Sequence, residues 1–210
     1  MRIVTALPPW TWHIPAHFNA AAACTDAHAT GPVADRAAVI CDDHAAGAAQ
    51  LTFAQLADRT SRLAELLRQL GLGAGERVLI RLPNCLAYPV VFLGAMKRGA
   101  VPVPTSILLT ADEVLFLARD AGAAALVTTR ESWNELHREL ERIETLTHVL
   151  LTGTGGAAAA QRLTLVDLEP ALTTISRWPP PHPTAADDPA YLVYPSGTTG
   201  YPNGVLHAHR

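Results

Sequence analysis

Hydrophobic positions between Phe53 and Leu70 recur at helical spacing: Phe53, Leu56, Ala57, Leu63, Ala64, Leu66, Leu67 and Leu70. Asp58, Arg59, Arg62, Glu65 and Arg68 fall between them. One apolar stripe with charges opposite predicts an amphipathic helix, and Gly71 and Gly73 supply its stop. Residues 77–82 then read as a strand in which Val78, Leu79 and Ile80 are apolar without alternation, as when both faces are covered. The cycle repeats. A helix starts at Pro83-Asn84, runs through Ala87 to Lys97 and is ended by Gly99, and a short strand follows at 100–104. Thr110 suits an N-cap and Glu113 its reciprocal partner, opening a helix with Val114, Leu115 and Leu117 that ends near Gly122. Residues 124–128 read as a strand, 131–144 as a helix and 148–152 as a strand. Upstream, 37–41 is a strand, 42–49 a turn, and Leu51-Thr52-Phe53 the returning arm of a hairpin. Residues 19–29 have helical potential with Asn19 or Thr25 as cap, and 10–18 form an irregular arm.

Strands alternating with helices of about 10–15 residues indicate βαβ units. The fold class expected is therefore α/β, a parallel-rich sheet with flanking helices. Residues 153–160 read as a low-complexity loop. Residues 178–183, Trp-Pro-Pro-Pro-His-Pro, form a stiff linker that lacks several backbone donors. It delivers a last strand at 190–194.

Composition narrows the function. Hydrophobic residues make up 49% of 210, enough for a sizeable core. The net charge of -3, with no Lys/Arg cluster, argues against a nucleic-acid partner. Cys24, Cys41 and Cys85 show no CxxC spacing, which disfavours structural zinc and suits reduced thiols. The longest apolar stretch, 86–96, contains Pro89 and falls far below the ~20 residues of a membrane span. A cytoplasmic protein without a membrane span is expected. No metal site is assigned: His207 and His209 are only two ligands, Pro15 breaks a helix joining His13 and His17, and Asp187-Asp188 reads as a solvated turn before Pro189.

The last strand runs into Ser196-Gly197-Thr198-Thr199-Gly200-Tyr201-Pro202-Asn203-Gly204-Val205. Glycines let backbone N–H groups approach a polyanion, and hydroxyls add donors, the chemistry of a phosphate-binding loop. A Walker A loop fails on spacing, because Pro202 stands where the second glycine belongs. A nucleophile elbow around Ser196 fails too, since Tyr194 and Thr198 occupy the glycine positions.

The stretch 191–205, with His207-Ala208-His209 behind it, resembles the AMP-binding signature of the adenylate-forming superfamily, which includes acyl-CoA synthetases, peptide-synthetase adenylation domains and luciferases. That pattern reads Tyr-Thr-Ser-Gly-Thr-Thr-Gly-x-Pro-Lys-Gly-Val. Leu51-Thr52-Phe53, Gly75-Glu76-Arg77-Val78, Leu82-Pro83-Asn84 and 95–104 are similar to successive family segments. Residues 14–19 with Cys24 and Asp26 are similar to openings of benzoate- and medium-chain-type acyl-CoA ligases. The resemblance implies an acid–thiol ligase: a carboxylate and ATP give an acyl-adenylate, which CoA captures as a thioester. It further implies ATP with Mg²⁺, CoA as acceptor, and an aromatic or medium-chain acid. Ser196, Gly197, Thr198, Thr199 and Gly200 would hold the β- and γ-phosphates. Asn203 stands at the usual Lys and Pro195 at the usual Thr, so a cation and a hydroxyl are exchanged for a neutral amide and a ring.

Residues 1–210 are thus expected to be the N-terminal part of an AMP-binding domain, without the downstream adenine pocket, acyl pocket and C-terminal domain. Little or no turnover is expected from this chain alone. Two alternatives are a non-catalytic nucleotide-binding module and a structural or interaction remnant without nucleotide affinity. Oligomeric state is left open.

Overall fold

In a computed structural model, residues 11, 13–43, 47–195 and 202–210 are described. The first elements among the described residues are a short helix α1 (Ala20–Cys24), capped by Asn19, and a 3-10 turn at Asp26–His28. This is briefer than the helix expected over 19–29, because the Thr25 hydroxyl turns back to the Ala21 carbonyl (2.7 Å) as the helix ends. Strands β1 (Ala37–Asp43) and β2 (Gly47–Thr52) form an antiparallel ladder. They reach into 42–49, read from sequence as a turn: Asp42 pairs with Ala48 and Asp43 with Gly47. The polar residues there signal exposure, and the ladder runs through them.

Helix α2 (Phe53–Gln69) opens on a full capping box between Thr52 and Gln55. Next come β3 (Arg77–Arg81), α3 (Ala87–Lys97), β4 (Val101–Pro104) and α4 (Ala111–Asp120). Thr110 and Glu113 form the expected reciprocal cap of α4. Then follow β5 (Ala123–Thr129), α5 (Arg130–Leu140) and β6 (His148–Thr152). Helix α5 stops short of the expected 144. Past its end the Glu141 carboxylate accepts the backbone N–H groups of Gln161 (2.7 Å) and Arg162 (3.1 Å), tying the turn to the loop that precedes β7 (Thr164–Asp167). Strand β7 and α6 (Leu168–Thr174) were not signalled by the sequence. β7 is a four-residue edge strand, and α6 carries Pro170, tolerated only because it sits in the first turn.

Strands β3 to β7 form one parallel five-stranded sheet ordered β4-β3-β5-β6-β7. The chain starts next to one edge and reverses direction after β4, so helices cover both faces. Val78, Ile80, Val127 and Leu150 pack with α2, α3 and α6, while Leu79, Leu126, Val149 and Leu151 pack with α4 and α5. Two buried faces explain the unalternating apolar runs.

The final strand does not join this sheet. β8 (Pro189–Val193) pairs antiparallel with β9 (Val205–Ala208), and the pair lies beside β4. No helix among the described residues is long and apolar enough to cross a membrane.

Candidate functional site

The β8–β9 ladder brings the two ends of the candidate phosphate loop together. Val193 pairs with Val205, Leu192 with Leu206 and Tyr191 with His207. Residues 194–204 are the connection. Ser196, Gly197, Thr198, Thr199 and Gly200 lie outside the described residues, while Tyr194, Pro195, Pro202, Asn203 and Gly204 flank them.

At the entry, the Tyr194 hydroxyl donates to Asp120 Oδ2 of α4 at 2.7 Å. Burial and this bond both push the phenol well above its ordinary range, so it stays protonated and donating. At the exit, Gly204 lies close against two side chains of the entry strand. A Cβ there would lie 2.9 Å from Leu192 Cδ1 and 3.2 Å from Tyr194 Cζ. Asn203, next to this contact, is exposed. Sequence reasoning missed Asp120, an acid at a helix C-terminus with no local mark of its partner.

The histidines after the loop take separate roles. His207 stacks on Tyr191 with ring centroids 4.5 Å apart and planes within 6°. Tyr191 also contacts Phe92 of α3, centroids 5.7 Å apart. His209 is 4% exposed, and its Nδ1 accepts the Ala20 N–H at 3.1 Å. That bond fixes the neutral tautomer with the proton on Nε2, a buried atom without a partner among the described residues. Burial lowers the His209 pKa against the opposing pull of Asp188.

The N-terminal arm is fastened beside this hairpin. His17 bridges Ala185, the Phe18 N–H donates to the Thr184 carbonyl (3.0 Å), and Thr184 Oγ1 donates to the Phe18 carbonyl (2.9 Å). Asn19 Nδ2 donates to the carbonyls of Met96 (3.2 Å) and His182 (3.3 Å). The Pro-rich linker is thus held between arm and α3. Asp187 pairs with Arg210, and Asp188 Oδ2 accepts the Ala185 N–H at 2.8 Å. Below the arm, Lys97 is buried; its Nζ reaches Asp26 Oδ2 (2.7 Å), Thr60 Oγ1 (2.8 Å) and Ser61 Oγ (3.1 Å). Desolvation lowers its pKa, and Asp26 counters that.

Between β8 and β9 the sequence carries hydroxyls, backbone amides and the Asn203 amide, all neutral. Among the described residues no group of three or more His, Cys, Asp or Glu side chains could hold a metal ion.

The family model described as AMP-binding enzyme matches residues 25–210. The 4-hydroxybenzoate–CoA/benzoate–CoA ligase of Rhodopseudomonas palustris is 33% identical over 162 residues, covering 76% of this chain and 28% of that protein. The long-chain-fatty-acid–CoA ligase FadD13 of Mycobacterium tuberculosis is 32% identical over 163 residues, covering 76% and 30%. The solved anthranilate CoA ligase AuaEII, in complex with anthranoyl-AMP, superposes with a TM-score of 0.82 over 93% of this chain and 36% of its own, at 22% identity. The chain therefore spans about a third of the length of the proteins it matches. It belongs to the family of AMP-binding enzymes.

Proposed function

We propose that this chain supplies the phosphate-gripping part of an AMP-forming acid–thiol ligase, acting on a small carboxylic acid with ATP and then CoA. The observation that carries this reading is the loop sequence itself, strung between the paired ends of β8 and β9 within a family match over 25–210. Backbone N–H groups at Gly197 and Gly200, with the Ser196, Thr198 and Thr199 hydroxyls, would hold the β- and γ-phosphates. Each hydrogen bond to a charged oxygen contributes about 1.5–3 kcal/mol, so a few suffice. Mg²⁺ would arrive with the nucleotide and neutralise charge on the transferring groups. The substrates named for similar ligases, benzoate and long-chain fatty acids, favour an aromatic or a fatty acid. A cytoplasmic setting fits three free cysteines.

Adenylation also needs an adenine pocket, an acyl pocket and a cation at the transferring phosphate, none of which the residues above are assigned to supply. The 210-residue chain alone is therefore expected to bind ATP and to give no carboxylate-dependent ATP–pyrophosphate exchange. Clear exchange from this chain would overturn the second expectation, and absence of ATP affinity in calorimetric titration would overturn the first.

A second reading, a nucleotide-binding module without turnover, is favoured by one residue. Asn203 puts a neutral amide where the family signature carries Lys. Asn203→Lys is expected to tighten ATP binding about tenfold, one charge-assisted hydrogen bond. An unchanged dissociation constant would show that position 203 does not face the phosphates.

A further inference from the structure

We infer that Tyr194 is a positioning residue, whose hydroxyl on Asp120 and whose ring against Gly204 fix both ends of the β8–β9 connection to helix α4. The inference rests on the phosphate-loop reading above and adds the device that orients the loop.

Three observations converge. The Tyr194 hydroxyl is 2.7 Å from Asp120 Oδ2, a bond across 74 residues of sequence. Asp120 is the last residue of α4, a helix seated on the parallel sheet through Val114, Leu117 and Ala118. Leu192 and Tyr194 join that same apolar cluster, so the strand end is packed as well as hydrogen-bonded. Finally, a Cβ on Gly204 would lie 2.9 Å from Leu192 Cδ1 and 3.2 Å from Tyr194 Cζ, so the Gly204 backbone lies against both side chains. Entry and exit of the connection therefore touch each other, and the entry is pinned to the rigid α4 layer. Asn203, one residue before the contact, takes its position from it.

A two-stranded ladder alone would not achieve this. Its last pair, Val193 with Val205, leaves Tyr194 and Gly204 outside the ladder. Without the hydroxyl bond, only the packing of the ring holds the first residue of the connection at the strand end. Donors that must meet phosphate oxygens within a few tenths of an ångström lose affinity when their base pivots. The acid on α4 makes no contact with phosphate in this scheme; as an anion it would repel it. Its place is behind the phenol, where its oxygen accepts the hydroxyl.

The test uses the 210-residue chain, titrated calorimetrically with ATP and Mg²⁺, together with amide hydrogen exchange over 195–204 without nucleotide. Tyr194→Phe keeps the ring against Gly204 and removes only the hydroxyl. It is expected to weaken ATP binding about three- to tenfold, to speed exchange over 195–204, and to shift the thermal midpoint by less than about 4 °C. Asp120→Ala should reproduce this loss, and combining the two should add nothing further. Asp120→Asn, whose amide carbonyl still accepts from the phenol, should restore near-normal affinity; a role confined to stability would show no such rescue. If the unsubstituted chain binds ATP and Tyr194→Phe binds equally well, the positioning role is overturned while the phosphate-loop reading stands. If the unsubstituted chain binds no ATP, that reading falls, and exchange decides the positioning role. Equal exchange in both proteins then overturns it, and faster exchange in Tyr194→Phe upholds it.

Discussion

At the scale of single residues, the chemistry that sequence reveals is the chemistry carried by local order. Ser196 to Gly200 prompt the proposal of a phosphate grip because hydroxyls, glycines and a preceding strand stand in one short run. Lys97 could not be read the same way. In sequence it is an ordinary cation at the end of α3, followed by Arg98 and Gly99; in the fold it is buried against Asp26, Thr60 and Ser61. Its partners come from other elements, so no local pattern announces them. The pair also shows how asymmetric a buried charge is. Removing the acid leaves a desolvated ammonium, whereas replacing the lysine with an apolar chain of similar length removes the cost along with the benefit. Asp26→Ala is therefore expected to cost about 2 kcal/mol, less than the ~3–5 kcal/mol of a fully enclosed pair, because 39% of the Asp26 side chain remains exposed. Lys97→Met is expected to cost less than Asp26→Ala, since Thr60 Oγ1 keeps its bond to the Leu56 carbonyl. Urea unfolding of the two variants side by side checks the order, and a larger loss in Lys97→Met would contradict it.

At the scale of elements, most helices and parallel strands were legible. Each carries its own periodicity, and α4 even displays its capping box. What escaped were features set by pairing and tertiary contact rather than by a segment's own pattern. The β1–β2 ladder extends through residues that read as a turn, and β7 is too short to stand out. Another is the tie between α1 and the residue that follows β9, made by one imidazole: the His209 acceptor and the Ala20 donor are 189 positions apart. Protonated His209 would point an N–H at an N–H. Its pKa is lowered in the fold by burial, with Asp188 only partly opposing this. Unfolding therefore takes up a proton once pH drops below the ordinary histidine value of about 6.5. The stability contributed by neutral His209 is complete above that value and is lost as pH falls from it towards the lowered folded value. His148, also lowered by burial, contributes in the same sense. The thermal midpoint is thus expected to fall between pH 7.5 and 5.5. His209→Asn, whose Oδ1 can replace the Nδ1 acceptor and does not titrate, should flatten part of that slope; an unchanged slope would remove His209 from the account.

At the scale of the whole molecule, the α/β class and the parallel sheet followed from alternation of elements. The placement of the last strand did not, because an apolar run ending in a glycine-rich loop fits a parallel sheet and a separate hairpin equally well. The consequence is an edge. Among the described residues β9 pairs only with β8, and its adjacent residues Val205 and Leu206 are 44% and 56% exposed. Successive strand residues point to opposite faces, so apolar surface shows on both sides of an open ladder edge. Such an edge invites pairing with another strand. The interior, by contrast, closes on itself: both sheet faces are covered and every strand of the parallel sheet except the outer two is paired on both sides. The isolated 210-residue chain should therefore unfold cooperatively yet self-associate through β9. Leu206→Lys adds a charge at an exposed position and removes no buried contact, so its stability should stay within about 0.5 kcal/mol of the parent, while association is suppressed. Sedimentation velocity over a concentration series reads the association, and urea unfolding reads the stability. Equal association in parent and Leu206→Lys would show that the exposed edge of β9 does not drive it, and a large stability loss would show that Leu206 packs more closely than its exposure indicates.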